Sequence, residues 1–179
     1  MSLKSQDILF LLKLVSLDDR PWSYNELAGE LFMSPSQVHA SAKRSLKANL
    51  AIQSNSLIQV NTRNLTEFLV CCIRYVFVPE RGSLNRGLPT LYAAPPLNKE
   101  FIQGNEPPPV WPDPEGKVRG ESFSPLHKSA PNAAKADPKL YEMLVLVDAI
   151  RGGKVREREY AIKELKKRLD KYVSTKSES

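Results

Sequence analysis

The chain contains little of what most enzymes use for catalysis. Its 179 residues include only two histidines, His39 and His127, which lie in unrelated sequence contexts, and two cysteines. The sequence therefore suggests neither a Cys/His pair nor a histidine metal cluster. It also lacks a Walker loop, a GxGxxG following a strand and a nucleophile elbow. We expect no catalytic residues, no metal, no cofactor and no enzymatic activity.

Long apolar runs are also absent. The longest run near the N-terminus, residues 8–12, is far too short to cross a bilayer, and its surroundings lack the cleavage site of a signal peptide. The two cysteines, Cys71 and Cys72, are adjacent, and we expect them to be small buried side chains in a reducing compartment. The composition thus predicts a folded cytoplasmic protein with no membrane partner.

Acidic residues are missing from one long stretch of the chain. No Asp or Glu occurs between Glu30 and Glu67, although Lys43, Arg44 and Lys47 all lie there. DNA phosphates are attracted mainly by the protein charges nearest to them. This acid-free stretch therefore indicates nucleic-acid binding more strongly than the overall charge of +6 does.

Two helix-start signals lie at the beginning of this stretch. Ser23 is followed three residues later by Glu26, and Ser34 three residues later by Gln37, so each pair matches a capping box. Pro35 occupies the first helical position, where its missing N–H costs nothing. The pattern predicts two short helices joined by a tight turn, which is a helix-turn-helix whose second helix fits a DNA major groove.

The apolar spacing predicts which side of the second helix is exposed. Val38, Ala42, Leu46 and Leu50 repeat every four residues and are expected to face the core. The opposite side is expected to bind DNA, with its first turns near base edges and its later cations on phosphates. We assign Ser36, Gln37, Ala40 and Arg44 to bases, Ser34, Lys43 and Lys47 to phosphates, and His39 and Ser41 to the remainder of this surface.

Two short β-prone runs, residues 51–53 and 57–60, flank the turn residues Ser54, Asn55 and Ser56, and they predict a β-hairpin directly after the second helix. The segment ELAGELFMSPSQVHASAKRSLKANL, followed by AIQSNSLIQV, resembles the winged helix-turn-helix regulators of bacteria and archaea, in particular the broad MarR-like group. The resemblance implies a recognition helix in the major groove, a wing beside it and a homodimer. The tip of this wing has no Arg or Lys, so we assign only Asn55 to a backbone contact.

The middle of the chain is rich in proline. Residues 78–138 hold twelve of the 14 prolines but also many large apolar side chains. Because proline disrupts helices and central strands, we expect an irregular, ordered arm packed over the helices. Within it, Glu80–Gly87 combines two arginines with two glycines. We interpret this segment as a plain turn, with an anion site as the alternative.

The C-terminal part again predicts helices. Asp137 and Pro138 form a helix start, and Gly152 and Gly153 form a stop. A final helix is predicted over residues 155–173, and the two helices form a hairpin suited to dimerisation.

These observations predict a mainly α fold with a small β-hairpin wing. The units are a winged helix-turn-helix DNA-binding domain (1–77), a proline-rich irregular arm (78–138), a C-terminal helical hairpin (139–173) and a tail (174–179). The predicted function is sequence-specific binding of double-stranded DNA as a prokaryotic transcriptional regulator, with a homodimeric repressor as the favoured form. The alternative is a protein-interaction module, such as an antitoxin or an assembly subunit, that binds a protein partner through the winged domain or the proline-rich arm.

Overall fold

The computed structural model describes residues 2–177. It is a mixed α/β fold, mainly helical, with a two-stranded hairpin and a separate three-stranded sheet. The N-terminal elements are α1 (Ser5–Ser16), α2 (Tyr24–Leu31), α3 (Pro35–Lys47), β1 (Ala51–Ser54) and β2 (Leu57–Val60). A longer helical stretch follows, made of α4 (Thr62–Glu67), a π-helical turn (Phe68–Cys72) and α5 (Ile73–Val76).

The remaining elements are three strands with two 3₁₀ turns, followed by three helices. They are β3 (Arg81–Pro89), two 3₁₀ turns (Leu91–Ala93 and Leu97–Lys99), β4 (Pro109–Pro112), β5 (Val118–Phe123), α6 (Ala130–Ala136), α7 (Pro138–Gly152) and α8 (Val155–Ser177). Helix α8 continues past residue 173, where the sequence pattern ended it. Residues 178 and 179 of the predicted tail lie outside the described residues.

Both predicted capping boxes are confirmed. The Ser23 hydroxyl accepts from the Glu26 N–H at 3.2 Å, and the Glu26 carboxylate accepts from the Ser23 N–H at 2.8 Å. At the start of α3, Ser34 and Gln37 exchange the same two bonds at 3.3 and 2.9 Å. Helices α2 and α3 begin where the sequence indicates because these bonds satisfy N–H groups that no helical carbonyl can reach.

Helix α1 lies in the centre of the molecule. Every side chain from Asp7 to Val15 is buried, and the helix packs against α3 and α7. A buried charge requires a partner. Lys13 therefore pairs with Asp137 at 2.8 Å and with Glu30 at 2.7 Å. These pairs connect α1 to the start of α7 and to the end of α2.

The predicted hairpin is also confirmed. Strands β1 and β2 pair antiparallel, with Ala51 opposite Val60 and Ser54 opposite Leu57. Asn55 and Ser56 form the two-residue turn with φ of 47° and 67°, the left-handed conformation that tight hairpins require.

The helical stretch of residues 62–76 exposes the two cysteines. Its buried side consists of Leu65, Leu69 and Ile73, which repeat every four residues. Cys71 and Cys72 lie away from this side and are exposed, so the prediction that they are buried is wrong.

The expectation of an irregular proline-rich arm is also wrong. Strand β3 pairs antiparallel with both β4 and β5, and β4 pairs parallel with β5, so the three strands close into a small barrel. The prolines in these strands lie at strand ends: Pro89 ends β3, and Pro109 and Pro112 bound β4. A missing N–H is tolerated best at such positions, so the proline content does not prevent sheet formation.

Two glycines allow the barrel to be this narrow. A Cβ at Gly87 would clash with the backbone carbonyl of Trp111, and one at Gly120 would clash with the carbonyl of Pro108. Any larger residue would therefore force the strands apart.

A buried carboxylate connects the barrel to α7. Asp148 is 1% exposed and accepts hydrogen bonds from Thr90 Oγ1 at 2.7 Å, Trp111 Nε1 at 2.6 Å and Arg151 at 2.7 Å. Arg151 in turn donates to the Phe77 carbonyl at 2.8 Å. Helix α7 also packs against α1, α5, α6 and α8, and one continuous hydrophobic core extends from Ile8 to Tyr172.

Candidate nucleic-acid interface

Helix α3 has one buried and one exposed side, but the boundary differs from the one that the sequence predicted. The buried positions include Val38, Ser41, Ala42 and Ser45, which follow the i, i+3, i+4, i+7 spacing of a helix face. The predicted stripe used a constant spacing of four residues. Because a helix has about 3.6 residues per turn, residues spaced by four lie progressively further around the helix. Leu46, predicted to face the core, is only half-buried.

The main consequence concerns Arg44, which was assigned to base contact. Its side chain is 8% exposed, and its guanidinium donates to both carboxylate oxygens of Asp7, at 2.8 Å from Nε and 2.6 Å from Nη2. This hydrogen bonding raises the pKa of Arg44 above its ordinary value. The expectation that Arg44 and Ser41 are exposed is wrong, because α1 covers this side of α3 and Asp7 requires a buried cationic partner.

The capping box uses part of the hydrogen-bonding capacity of the Ser34 and Gln37 side chains. Gln37 Oε1 accepts from the Ser34 backbone, so its side-chain NH₂ is the group left to donate. Adenine is read by an amide that donates and accepts together. With the cap intact, Gln37 can donate to a base acceptor, and a two-bond adenine contact would have to use the second lone pair of its Oε1.

An aromatic chain supports the exposed side of α3. The ring of His39 stacks on Tyr24 at 3.5 Å and 17°. Tyr24 in turn packs edge-on against Trp22, and Trp22 packs edge-on against the buried Phe10. Burial raises the pKa of Tyr24 above its ordinary value. The sequence reasoning missed this support, because no spacing rule connects Tyr24 on α2 with His39 on α3.

Two lysines form the cationic part of the exposed side. Lys43 and Lys47 are exposed, and among residues 2–177 no carboxylate forms an ion pair with either of them. Ser36 and His39 are also exposed, and Ala40 is half-buried. The structure therefore brings together most of the predicted DNA-facing residues on one side of α3, without Arg44 and Ser41.

The hairpin contributes polar atoms at its tip and apolar side chains on one face. Asn55 is exposed at the tip. Ile52 and Leu57 are 48% and 64% exposed, and the strand register places them on the same face. The tip can thus contact a sugar–phosphate backbone only through neutral groups.

No group of residues within the described part of the chain is arranged to hold a metal ion. Likewise, none of the helices over residues 2–177 combines the length and apolar character needed to cross a bilayer.

No family model, curated protein or solved structure matches this chain.

Proposed function

We propose that this chain binds double-stranded DNA as a winged helix-turn-helix transcriptional regulator, with α3 as the recognition helix and the β1–β2 hairpin as the wing. The order of α1, α2, α3, β1 and β2 supports this proposal, as does the short capped turn between α2 and α3. The main support is the exposed side of α3, which combines small polar residues near its start with two unpaired lysines further along.

The geometry refines the roles of the predicted residues. Ser36, Gln37, His39 and Ala40 are the candidates for base edges, because they occupy the first turns of α3. Lys43 and Lys47, together with Ser34, are the candidates for phosphates. Asn55 at the wing tip is the candidate for a backbone contact. In this proposal Arg44 positions α3 against α1 and does not read bases.

A homodimer on a two-fold operator is part of the same proposal. Helix α7 is unsuited to the dimer contact suggested by the sequence, since its residues 143–151 are buried within their own chain. Sedimentation of the purified protein with and without duplex would test the dimer.

The experiment that tests DNA binding is selection from a randomised duplex pool at two salt concentrations. Lys43→Gln/Lys47→Gln removes both candidate phosphate contacts, and Lys163→Gln/Lys166→Gln removes two exposed lysines of α8 as a control of equal charge change. We expect the wild type and the control to retain duplex. The α3 variant should bind more weakly, with a salt slope smaller by about two.

Two results would overturn the proposal. One is retention of duplex by the α3 variant at wild-type affinity and salt slope. The other is failure of the wild type to retain any duplex at low salt. The second result would favour the alternative of a protein-docking module, for which the exposed Ile52 and Leu57 on one hairpin face are the specific support.

A further inference from the structure

The barrel carries a second cationic site, on a different part of the chain from α3. Arg86 on β3 lies directly opposite Arg119 on β5 in the antiparallel register, and both side chains are exposed. Directly opposed residues project to the same side of a sheet, and like charges in this position destabilise strand pairing. The register therefore places two arginines side by side on one face of the barrel, which disfavours strand pairing.

A third cation lies at the same place. Lys117, in the turn before β5, lines an open cleft of about 560 Å³ together with Arg86 and Arg119. Residues 114–116 of the β4–β5 turn complete its walls. The segment interpreted from sequence as a plain turn, Glu80–Gly87, is thus mainly strand β3, and its second arginine lies in a cationic cleft.

The nearby carboxylates interact with other cations. Asp113 pairs with Lys135, which lowers the pKa of Asp113 below its usual range, and Glu121 pairs with Arg81 at 3.4 Å. Glu115 also lines the cleft, but its side chain is 88% exposed and lies 3.9 Å from Lys135. Among residues 2–177, no ion pair neutralises Arg86, Lys117 or Arg119.

We propose that Arg86, Lys117 and Arg119 form an anion site that binds phosphate groups. Two guanidinium forks match the oxygens of a phosphate, and an ammonium adds a third charge-assisted donor. A bound phosphate would also relieve the repulsion between the opposed arginines. The phosphate can come from a nucleic-acid backbone or from a small phosphorylated molecule.

Thermal unfolding with added pyrophosphate tests the site independently of DNA. Pyrophosphate bound to the folded state raises the unfolding temperature by mass action. We expect this rise in the wild type and in the Lys163→Gln/Lys166→Gln control, and we expect it to be lost in Arg86→Gln/Arg119→Gln. Without anion, this variant should unfold at the wild-type temperature or above, because it lacks the opposed charges. A rise of equal size in the variant and the wild type would overturn the proposal.

Duplex binding then identifies the source of the phosphate. If Arg86→Gln/Arg119→Gln lowers the salt slope of duplex binding by about two, the site binds the nucleic-acid backbone. If duplex binding is unchanged while the pyrophosphate response is lost, the ligand is a small phosphorylated molecule. Both results support the site. Lys43→Gln/Lys47→Gln should keep the full pyrophosphate response, so failure of DNA binding through α3 and failure of the anion site can be distinguished.

Discussion

The helical region of residues 5–60 and the barrel of β3, β4 and β5 depend on contacts of different range. The helix starts are fixed by residues close together in the sequence, whereas the strands of the barrel pair residues that are far apart in it. The helical region starts its helices with bonds between residues three apart, such as Ser34 and Gln37. In the barrel, Gly87 lies opposite Pro112 on one strand and Val118 on another. The comparison shows that local signals reveal where an element begins, whereas its partners depend on contacts that are distant in sequence.

The largest expected effect distinguishes two neighbouring residues of α3. Arg44→Ala leaves the buried carboxylate of Asp7 without a cationic partner and with only the Lys4 N–H as a hydrogen-bond donor, so we expect a loss of about 3 kcal/mol in the free energy of unfolding. Lys43→Ala removes an exposed side chain, and we expect a change within about 0.5 kcal/mol. Urea unfolding of both variants measures the difference.

Duplex binding should reverse the order of these two variants. Lys43→Ala should lower the salt slope by about one, whereas folded Arg44→Ala should keep the wild-type preference among sequences. A stable Arg44→Ala protein with altered base preference would contradict the inward position of Arg44.

The capping boxes and the burial of Arg44 differ in how visible they are in the sequence. The capping boxes at Ser23 and Ser34 are local, and both are confirmed. The burial of Arg44 depends on Asp7, which lies on a different helix. An acid within the first turn of an apolar helix is a weak signal that a cation elsewhere must be buried with it, but it does not identify which cation.

The next largest expected effect is on stability, and it compares a glycine-to-alanine substitution in the barrel with one in the helical region. Gly87→Ala would place a methyl group against the Trp111 carbonyl, and we expect it to destabilise the protein by about 2 kcal/mol. At Gly29 in α2 a Cβ meets no atom within 4 Å, so Gly29→Ala should stabilise the protein by about 0.5 kcal/mol through its higher helix propensity. Thermal unfolding of the two variants should give shifts of opposite sign. An unchanged or raised unfolding temperature in Gly87→Ala would mean that the strands of the barrel can separate at little cost.

The barrel was not predictable from sequence, for a reason that these glycines illustrate. A high number of prolines argues against strands only when their positions are ignored. Pro89, Pro109 and Pro112 all lie at strand ends, where proline is tolerated. The close approach at Gly87 and Gly120 involves backbone atoms of another strand. Neither fact has a local signature, so the large apolar residues of this segment indicated only that it is ordered.

The smallest expected effect compares the two histidines. His127, between the barrel and α6, is half-buried, and its Nδ1 accepts from the Ser129 N–H at 3.3 Å. Burial and the nearby charge of Lys128 lower the pKa of His127 below 6.5. The unfolded chain therefore binds this proton more readily than the folded chain. The corresponding stability is present above pH 6.5 and is lost as the pH falls through the lower folded pKa.

The unfolding temperature should therefore fall more between pH 7.5 and pH 5.5 in the wild type than in His127→Gln, which cannot take up this proton. His39→Gln is the matched control in the helical region, because His39 is exposed, and it should keep the wild-type fall. If His127→Gln shows the same fall as the wild type, the acid sensitivity of the protein lies outside the junction between the barrel and α6.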